Sequence, residues 1–579
     1  MNRETQAHFA ELPSMDISRS KFDRSFIHKT TMNAADLVPI YVDPDIIPGD
    51  TVTMRMSELV RMTTPIVPTM DELSMDVFWF FVPDRLVWDN FKRFMGENDT
   101  APWTQTVEYS IPQIKITNKY KNNSTGNLTQ TVLKGSVLDH MGIPTNYSWL
   151  YKGTVVDTDT EPERELQITA LPARAYCLIW NEFFRSEALQ NPVNIPHNDY
   201  SNPIFNSNES VYISNPEVAT TTYSYTGGLP PLKVCKTFDY FTAALPEPQA
   251  GPAVTLPMNG TAPIKTEEFT IQSHTAGNDS DDLYMLQNSA LTYPIFGDDP
   301  QWDTQASAFI LNTNKNGKLI ADLSNATGAT INALRQAFAV QKFYEREARG
   351  GQRYIEMVRS HFNVINPDFR LQRPEYLGGY RHQITINQVV QNSETSTTPL
   401  GTTGAYSLTT HRDGDVFSHS FTEHGILMGL ACIRQTQHTY QQGVNRAWLK
   451  KDKFDFYYPE LANLGEQFIK NAEIYAQGID KDEEAFGYQE AWAEMRYMPD
   501  IVSGELRSDY PTSLDVWHYA DYYDELPTLG NKWIKETDSN LLRTLAVQDQ
   551  DQFKCDFYFG AIYTRPLPTW SVPGLIDHH

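Results

Sequence analysis

The densest apolar run in the chain is Val77–Val82, six consecutive apolar residues of which four are aromatic and the outer two β-branched. Such a run predicts a strand apolar on both faces, and therefore covered on both faces. Pro83 and Asp84 end it, and the period then changes. Val87, Trp88, Phe91, Phe94 and Met95 form one helical stripe, with Gly96 placed just past its end. This strand–helix unit is expected in the core. Earlier, Leu37–Val42 and Thr51–Met56 read as short strands on either side of the turn-rich DPDIIPGD (43–50), and Gln113–Thr117 as a further β piece. Leu171–Leu189 is the clearest helix, with Pro172 in its first turn and Ala173, Tyr176, Cys177, Trp180, Phe183 and Phe184 on one face. Helical periodicity is lost from Asn191 to Gly328. It returns from Thr330, an N-cap residue, through Ile331, Leu334, Phe338 and Tyr344 to the break at Gly350-Gly351. Phe417–Ile433 reads as one or two strands and Phe553–Tyr563 as the last, followed by a proline-braced tail. Residues 1–35 read as an extended polar arm carrying Arg19, Lys21, Arg24 and Lys29 beside Phe22 and Phe26. No internal repeat is visible.

Charge alters this picture in two ways. With 47 basic against 72 acidic residues the net charge is −25, which argues against a bulk nucleic-acid binder of the usual basic type but leaves room for local basic patches. The charge is also uneven: residues 460–551 carry −13, whereas 342–373 carry +3. The first residues have no apolar signal core and no run of 18 apolar residues occurs, so the expectation is a soluble protein without a standard export signal. Four scattered cysteines (Cys177, Cys235, Cys432, Cys555) sit in apolar surroundings and make no CxxC, which predicts buried free thiols rather than a zinc or redox site. Prolines and glycines spread along the whole chain suggest one β-rich body with long ordered loops.

Catalytic patterns are missing. There is no Walker A, GxGxxG or GxSxG. His411-Arg412-Asp413 mimics a kinase triplet without its downstream Asn. Asp281-Asp282 and Asp298-Asp299 lack the alternating spacing of a calcium loop and read as solvated acids. His578-His579 is too short to argue for a metal. Composition alone gives a β-rich protein with no visible active site, no cofactor and no metal.

Ordered blocks along the chain nevertheless resemble one family. They are NAADLVPIYVDPDIIPGDT (33–51), MDVFWFFVPDRLVWDNFKRFMGEN (75–98), LPARAYCLIWNEFFRSEAL (171–189), FDYFTAALPEPQAG (238–251), INALRQAFAVQKFYEREARGGQRYIEMVRSHFNV with NPDFRLQRPEYLGG (331–379), SFTEHGILMGL (420–430), FGYQEAWAEMRY (486–497) and WSVPGLIDHH (570–579). In these the chain resembles the major capsid protein of the Microviridae, of the gokushovirus type. The resemblance covers most of the chain, leaving mainly 101–165, 258–328 and 392–415 unmatched, and it makes His578-His579 a natural end rather than a tag. It implies a viral jelly roll, an eight-stranded antiparallel β-barrel with long insertions, over 36–579 as a single domain. It also implies pentamers in a T=1 shell around circular single-stranded DNA. The implied partners are a scaffolding protein, a DNA pilot protein, a small basic DNA-binding protein and a bacterial surface receptor, with no membrane insertion. The 258–328 tract, at −6, is the expected surface protrusion for host attachment.

Two residue groups stand out as candidate contacts. Arg370, Arg373, Pro374, Glu375, Gly378 and Gly379 form a brace, between subunits or between elements: the proline and glycines fix an unusual backbone path and the arginines suit carboxylates. Arg19, Lys21, Phe22, Arg24, Phe26 and Lys29 offer a basic-aromatic surface for single-stranded DNA, or equally a strap onto a neighbouring subunit. Against the shell stand an intracellular jelly-roll lectin or glycan-active enzyme using paired carboxylates and aromatic platforms, and a tail fibre, which calls for repeats the chain lacks.

Overall fold

The computed structural model describes residues 18–97, 108–117, 132, 134–145, 165–199, 229–252, 254, 331–351, 353–396 and 398–570. It also describes the backbone of short strands at 213–214, 222–223, 264–266, 270–273, 282–283, 309–312 and 319–321. The large body comprises Met1–Ala250 and Arg346–His579. Its framework strands, in chain order, are β1 (Ser20–Asp23), β2 (Phe26–Met32), β3 (Val38–Ile46), β4 (Thr51–Met62), β5 (Leu73–Pro83), β6 (Glu375–Gln383), β7 (Thr409–Ser420), β8 (Gly425–Gln435) and β9 (Phe553–Arg565).

Two antiparallel sheets result. In the first, β9 lies between β4 and the broken edge formed by β1 and β2, and β7 pairs on the far side of β4. β1 and β2 lie end to end on β9, Phe22 opposite Tyr563 and Phe26 opposite Phe559, so together they act as one strand. The second sheet runs β6–β5–β8–β3. From β2 onward the chain changes sheet at every connection except β5 to β6. Eight strands wound in this way make a jelly roll, and the fold is mainly β.

Alternation in sequence sets the faces. In β9, Phe553, Cys555, Phe557, Phe559, Ala561 and Tyr563 are buried while Lys554 and Tyr558 are exposed, the period of two that a pleated strand imposes. In β4 the inward positions are Val52, Met54, Met56, Glu58, Val60 and Met62; one of these six is a carboxylate. β5 has no solvent face. Met75, Val77, Trp79 and Phe81 enter the core between the sheets, and Phe80 and Val82 enter a second core on the opposite face. That second core is roofed by Ile114, Ile116, Val87, Trp88 and helix α1 (Leu171–Ile179). Burying each of the large β5 side chains contributes about 1.5–3 kcal/mol, which explains why the chain is organised around this strand.

Two helical expectations change. The stripe over 87–96 becomes a 3-10 turn at Asp84–Leu86 and one helical turn at Phe91–Phe94. Val87 and Trp88 are fully buried, but Phe94 and Met95 are exposed, because so short a helix cannot bring its second turn back to the sheet. The helix expected over Leu171–Leu189 ends as α-helix at Ile179 and continues as a π-turn, Trp180–Phe184. The wider turn lets both Phe183 and Phe184 reach β5, with ring centroids 4.7 Å from Phe80 and 5.0 Å from Phe78 respectively. Three cysteines are buried and Cys235 is partly so; all are free, and burial pushes the thiols of Cys177 and Cys432 up to about 12.

The long β8–β9 connection supplies Tyr440, Ile469, Phe486 and Trp533 to a third core, which Tyr240 and Phe241 complete from earlier in the chain. Beside it lies a buried ionic network. Lys236 Nζ donates to Asp521 Oδ2 at 2.6 Å and sits 4.8 Å from the Trp533 ring centre, while His438 Nε2 is 2.9 Å from Glu536 Oε2. A second, smaller compact unit, Gly251–Glu345, contains a two-stranded sheet (264–266 with 319–321) and a three-stranded one in which 270–273 is central. The 258–328 tract falls inside it. Helix α2 (Ile331–Gly350) leads out of that unit, and α3 (Tyr354–Phe362) and the short α4 (Asp368–Leu371) follow in the large body.

Candidate functional site

The Arg370–Gly379 block bridges α4 and β6. α4 ends at Gln372, whose φ of 56° is left-handed, and Pro374 is buried immediately before β6. Arg373 turns back: its Nε lies 2.9 Å from Asp368 Oδ1, its Cζ is 4.3 Å from the centre of the Phe183 ring, and Glu182 lies 4.0 Å away. Glu375 does not pair with these arginines; its Oε2 is 3.6 Å from His419 Nε2 on β7. Arg370 is exposed and forms no ion pair among the described residues. Gly378 has φ of 151° at a register shift in the β6–β5 pairing. Gly379 is required by contact: a Cβ there would overlap the carbonyl oxygen of Val77 and lie 3.3 Å from Phe78 Cα. Within one chain the block thus touches β5 through Gly379 and the π-turn through Arg373.

The arm residues also have partners in their own chain. The guanidinium of Arg24 reaches buried Asp43 at 2.5 Å and lies 4.6 Å from the centre of the Tyr563 ring. Tyr563 Oη donates to the same carboxylate at 2.7 Å. Phe26 packs between Tyr41 and Phe559, with centroids at 5.4 and 5.2 Å. Phe22 packs against the core between the sheets. Lys29 pairs with Asp556 at 3.3 Å on the surface. Arg19 and Lys21 are exposed and form no ion pair among the described residues.

The local charge asymmetries are similarly engaged. Of the basic stretch 342–373, Arg349 reaches Glu466 at 2.5 Å, Arg353 pairs with Glu187, and Arg373 with Asp368. The first two line a cavity of about 1390 Å³ roofed by the π-turn and α3, together with Arg381 and Arg434. Those last two arginines converge on Asp76, at 2.5 and 2.8 Å. Burial and the neighbouring Glu187 carboxylate raise the pKa of Glu356 in the same wall. In the acidic stretch, Glu466, Glu473, Glu483, Glu490, Asp521 and Glu536 are each within ion-pair distance of a basic group. Sequence reading did not find Asp76, Arg381 and Arg434; a carboxylate at the head of an apolar run was the available signal.

The most distinctive surface is apolar. Phe362, Val364, Ile365 and Phe369 are exposed from the end of α3 to the start of α4, Ile365 by 73%. Trp448 (84%), Phe454, Phe456 and Leu464 are exposed along one loop, and Met498 and Ile501 along another. Scattered exposed apolar groups are ordinary, but successive large ones in three segments mark surfaces made for contact. No described helix is long and apolar enough to cross a membrane.

Comparison with known proteins agrees with this reading. The family model for Capsid protein (F protein) matches residues 10–575. Among individual relatives, capsid protein VP1 of Bdellovibrio phage phiMH2K is 38% identical, over 99% of this chain and 98% of its own. The VP1 proteins of Spiroplasma virus 4 and Chlamydia phage 1 are 36% and 34% identical, each over 98% of this chain and 97% of theirs. The chain is therefore similar from end to end to proteins of gokushovirus-type Microviridae, and it belongs to the capsid protein (F protein) family.

Proposed function

We propose that this chain is the repeating subunit of a T=1 icosahedral shell, built from pentamers and enclosing circular single-stranded DNA. Family membership makes it a structural, non-enzymatic protein of the virion that assembles with copies of itself. The observation supporting close-packed assembly is the set of exposed apolar segments at 362–369, 448–464 and 498–501. A shell subunit needs contacts on the order of 2,000 Å² or more, and a second copy of the chain is their natural occupant. The proline-braced loops suit this, because segments ordered in advance lose less entropy on association.

The remaining roles follow the same reading. Unit Gly251–Glu345, which encloses the acidic 258–328 tract, serves host attachment. Arg19 and Lys21, exposed beside an arm whose other basic groups are engaged, supply the contact to packaged DNA, aided by a small basic protein. A scaffolding protein and a DNA pilot protein act during assembly in the host cytoplasm. Electron microscopy and sedimentation of the purified full-length chain, with and without the scaffolding protein, test the proposal. Isometric particles with fivefold vertices are expected. Persistent monomers under every assembly condition would refute it, and monomers with measurable glycan affinity would favour the lectin reading.

A further inference from the structure

β4 places one carboxylate, Glu58, in a row of inward-facing apolar residues. Its side chain is fully buried, and neither carboxylate oxygen accepts a hydrogen bond. An ionised carboxylate so placed is costly unless a cation or proton meets it. Two histidines converge there from different sheets. His411 is the residue opposite Glu58 in the β7–β4 pairing, and His382 comes from β6 in the other sheet. His382 Nδ1 approaches Glu58 Oε1 to 3.0 Å without hydrogen-bond geometry, and neither ring nitrogen of His382 makes a hydrogen bond. The two imidazoles lie parallel, centroids 4.7 Å apart and planes 7° from each other. One ligand atom from each of Glu58, His382 and His411 lies within 4.8 Å of the other two.

We propose that Glu58, His382 and His411 form a binding site for a divalent transition-metal ion, zinc by preference, that ties the two sheets together at the β6–β7 edge. Two imidazoles and a carboxylate suit zinc, with bonds of about 2.0–2.2 Å and water in a fourth position. Such bonds require ligand atoms about 3.3 Å apart at a tetrahedral centre; the atoms now lie within 4.8 Å of one another, so binding requires the two parallel rings to turn toward a common centre. The ion would compensate the buried carboxylate and engage imidazole nitrogens that make no hydrogen bond. It would also fix β6, the strand that carries Gly378 and Gly379, to the opposite sheet. Other groups near the cluster are the Tyr380 ring, 5.0 Å from His411, and the Cys555 thiol, whose pKa is raised by burial and further by Glu58.

The test uses the purified full-length chain, stripped with a chelator, dialysed and reloaded with zinc chloride. One zinc per chain by elemental analysis and a higher melting temperature than the stripped protein are expected. Cobalt loading should give the intense visible absorption of a four-coordinate ion. His411→Gln, at a half-buried position, should retain the fold by circular dichroism while binding zinc at least about tenfold more weakly; Glu58→Gln should do the same if it folds. Substoichiometric zinc in the native chain, or unchanged affinity in folded His411→Gln, overturns the proposal and leaves a Glu58–His382 ion pair that needs only a proton.

Discussion

Asp76 offers the sharpest test of the reading that the cavity's arginines are structural. It lies on β5, 2% exposed, and receives Arg381 Nε at 2.5 Å, Arg381 Nη2 at 2.8 Å and Arg434 Nε at 2.9 Å. The two donors are not equivalent: the Arg381 side chain is 48% exposed, that of Arg434 only 19%. Removing one partner of a fully buried pair costs about 3–5 kcal/mol, and losing an exposed pair about 0–1 kcal/mol. Asp76→Ala strands Arg434 in low dielectric, although Arg381 can return to water, so the expected loss is about 3 kcal/mol. Arg381→Ala leaves Asp76 held by Arg434 and should cost about 1 kcal/mol. For a body of this size, about 3 kcal/mol corresponds to a melting-temperature fall on the order of 4 °C. Differential scanning calorimetry of the soluble subunit measures both. The Asp76→Ala/Arg434→Ala double variant should lose less than the sum of its singles, because the stranded charge is gone. If Arg381→Ala destabilises as much as Asp76→Ala, ranking by exposure is wrong and the cavity arginines act by some other route.

Other expectations follow from the same geometry. Arg373→Ala removes the Asp368 pair and the stacking on Phe183, for about 1–2 kcal/mol, and should reduce soluble yield and assembly in a particle assay; Arg373→Lys should not restore it fully, and wild-type particle yield from the alanine variant refutes the brace. Arg19→Gln with Lys21→Gln should leave empty shells intact while filled particles become scarce or salt-sensitive, scored by sedimentation; Arg24→Gln should instead lower the melting temperature, since it uncovers buried Asp43. Deleting 258–328 should give particles that assemble but adsorb poorly to host cells, and loss of soluble protein refutes its dispensability. Burial raises the Asp84 carboxyl to about 7 from 3.8; an acid whose folded pKa is raised favours the fold below its unfolded value, so its contribution should be lost as pH climbs from about 4 to 7. Asp84→Asn should flatten that part of the profile of melting temperature against pH, and an unchanged slope counts against it.

The strands were legible where burial is one- or two-sided and continuous. VFWFFV could only be a covered strand, and the alternation in Phe553–Tyr563 could only give one inward face. The missing turns of the helices expected at 87–96 and 171–189 were not legible, because tertiary contacts decide them: Phe183 and Phe184 both reach β5 only if the turn widens. For the candidate contacts, residue types were legible and partners within the chain were not. The residue type suits Arg373 to a carboxylate and Glu375 lies nearby in sequence, yet Asp368 is the one it meets, since the left-handed Gln372 reverses the chain. The Glu58, His382 and His411 convergence was invisible: the residues lie more than 300 positions apart at the extremes, and only pairing across the sheets brings them together.

The position of β9 has a kinetic consequence. The last framework strand is not at an edge; it slots between β4 and the β1–β2 edge, residues synthesised roughly 500 positions earlier. β5 likewise waits for β6 across nearly 300 intervening residues. Contacts so distant in sequence make folding slow, and until the final strand leaves the ribosome the flank of β4 stays open to pairing with other chains. A polypeptide that stops before residue 553 cannot complete the first sheet, and the pairing edge of β4 that β9 covers stays bare. Correct pairing of β4 thus depends on a strand made about 500 residues later, which makes an unpaired β4 flank the exposed feature of every folding intermediate that lacks β9.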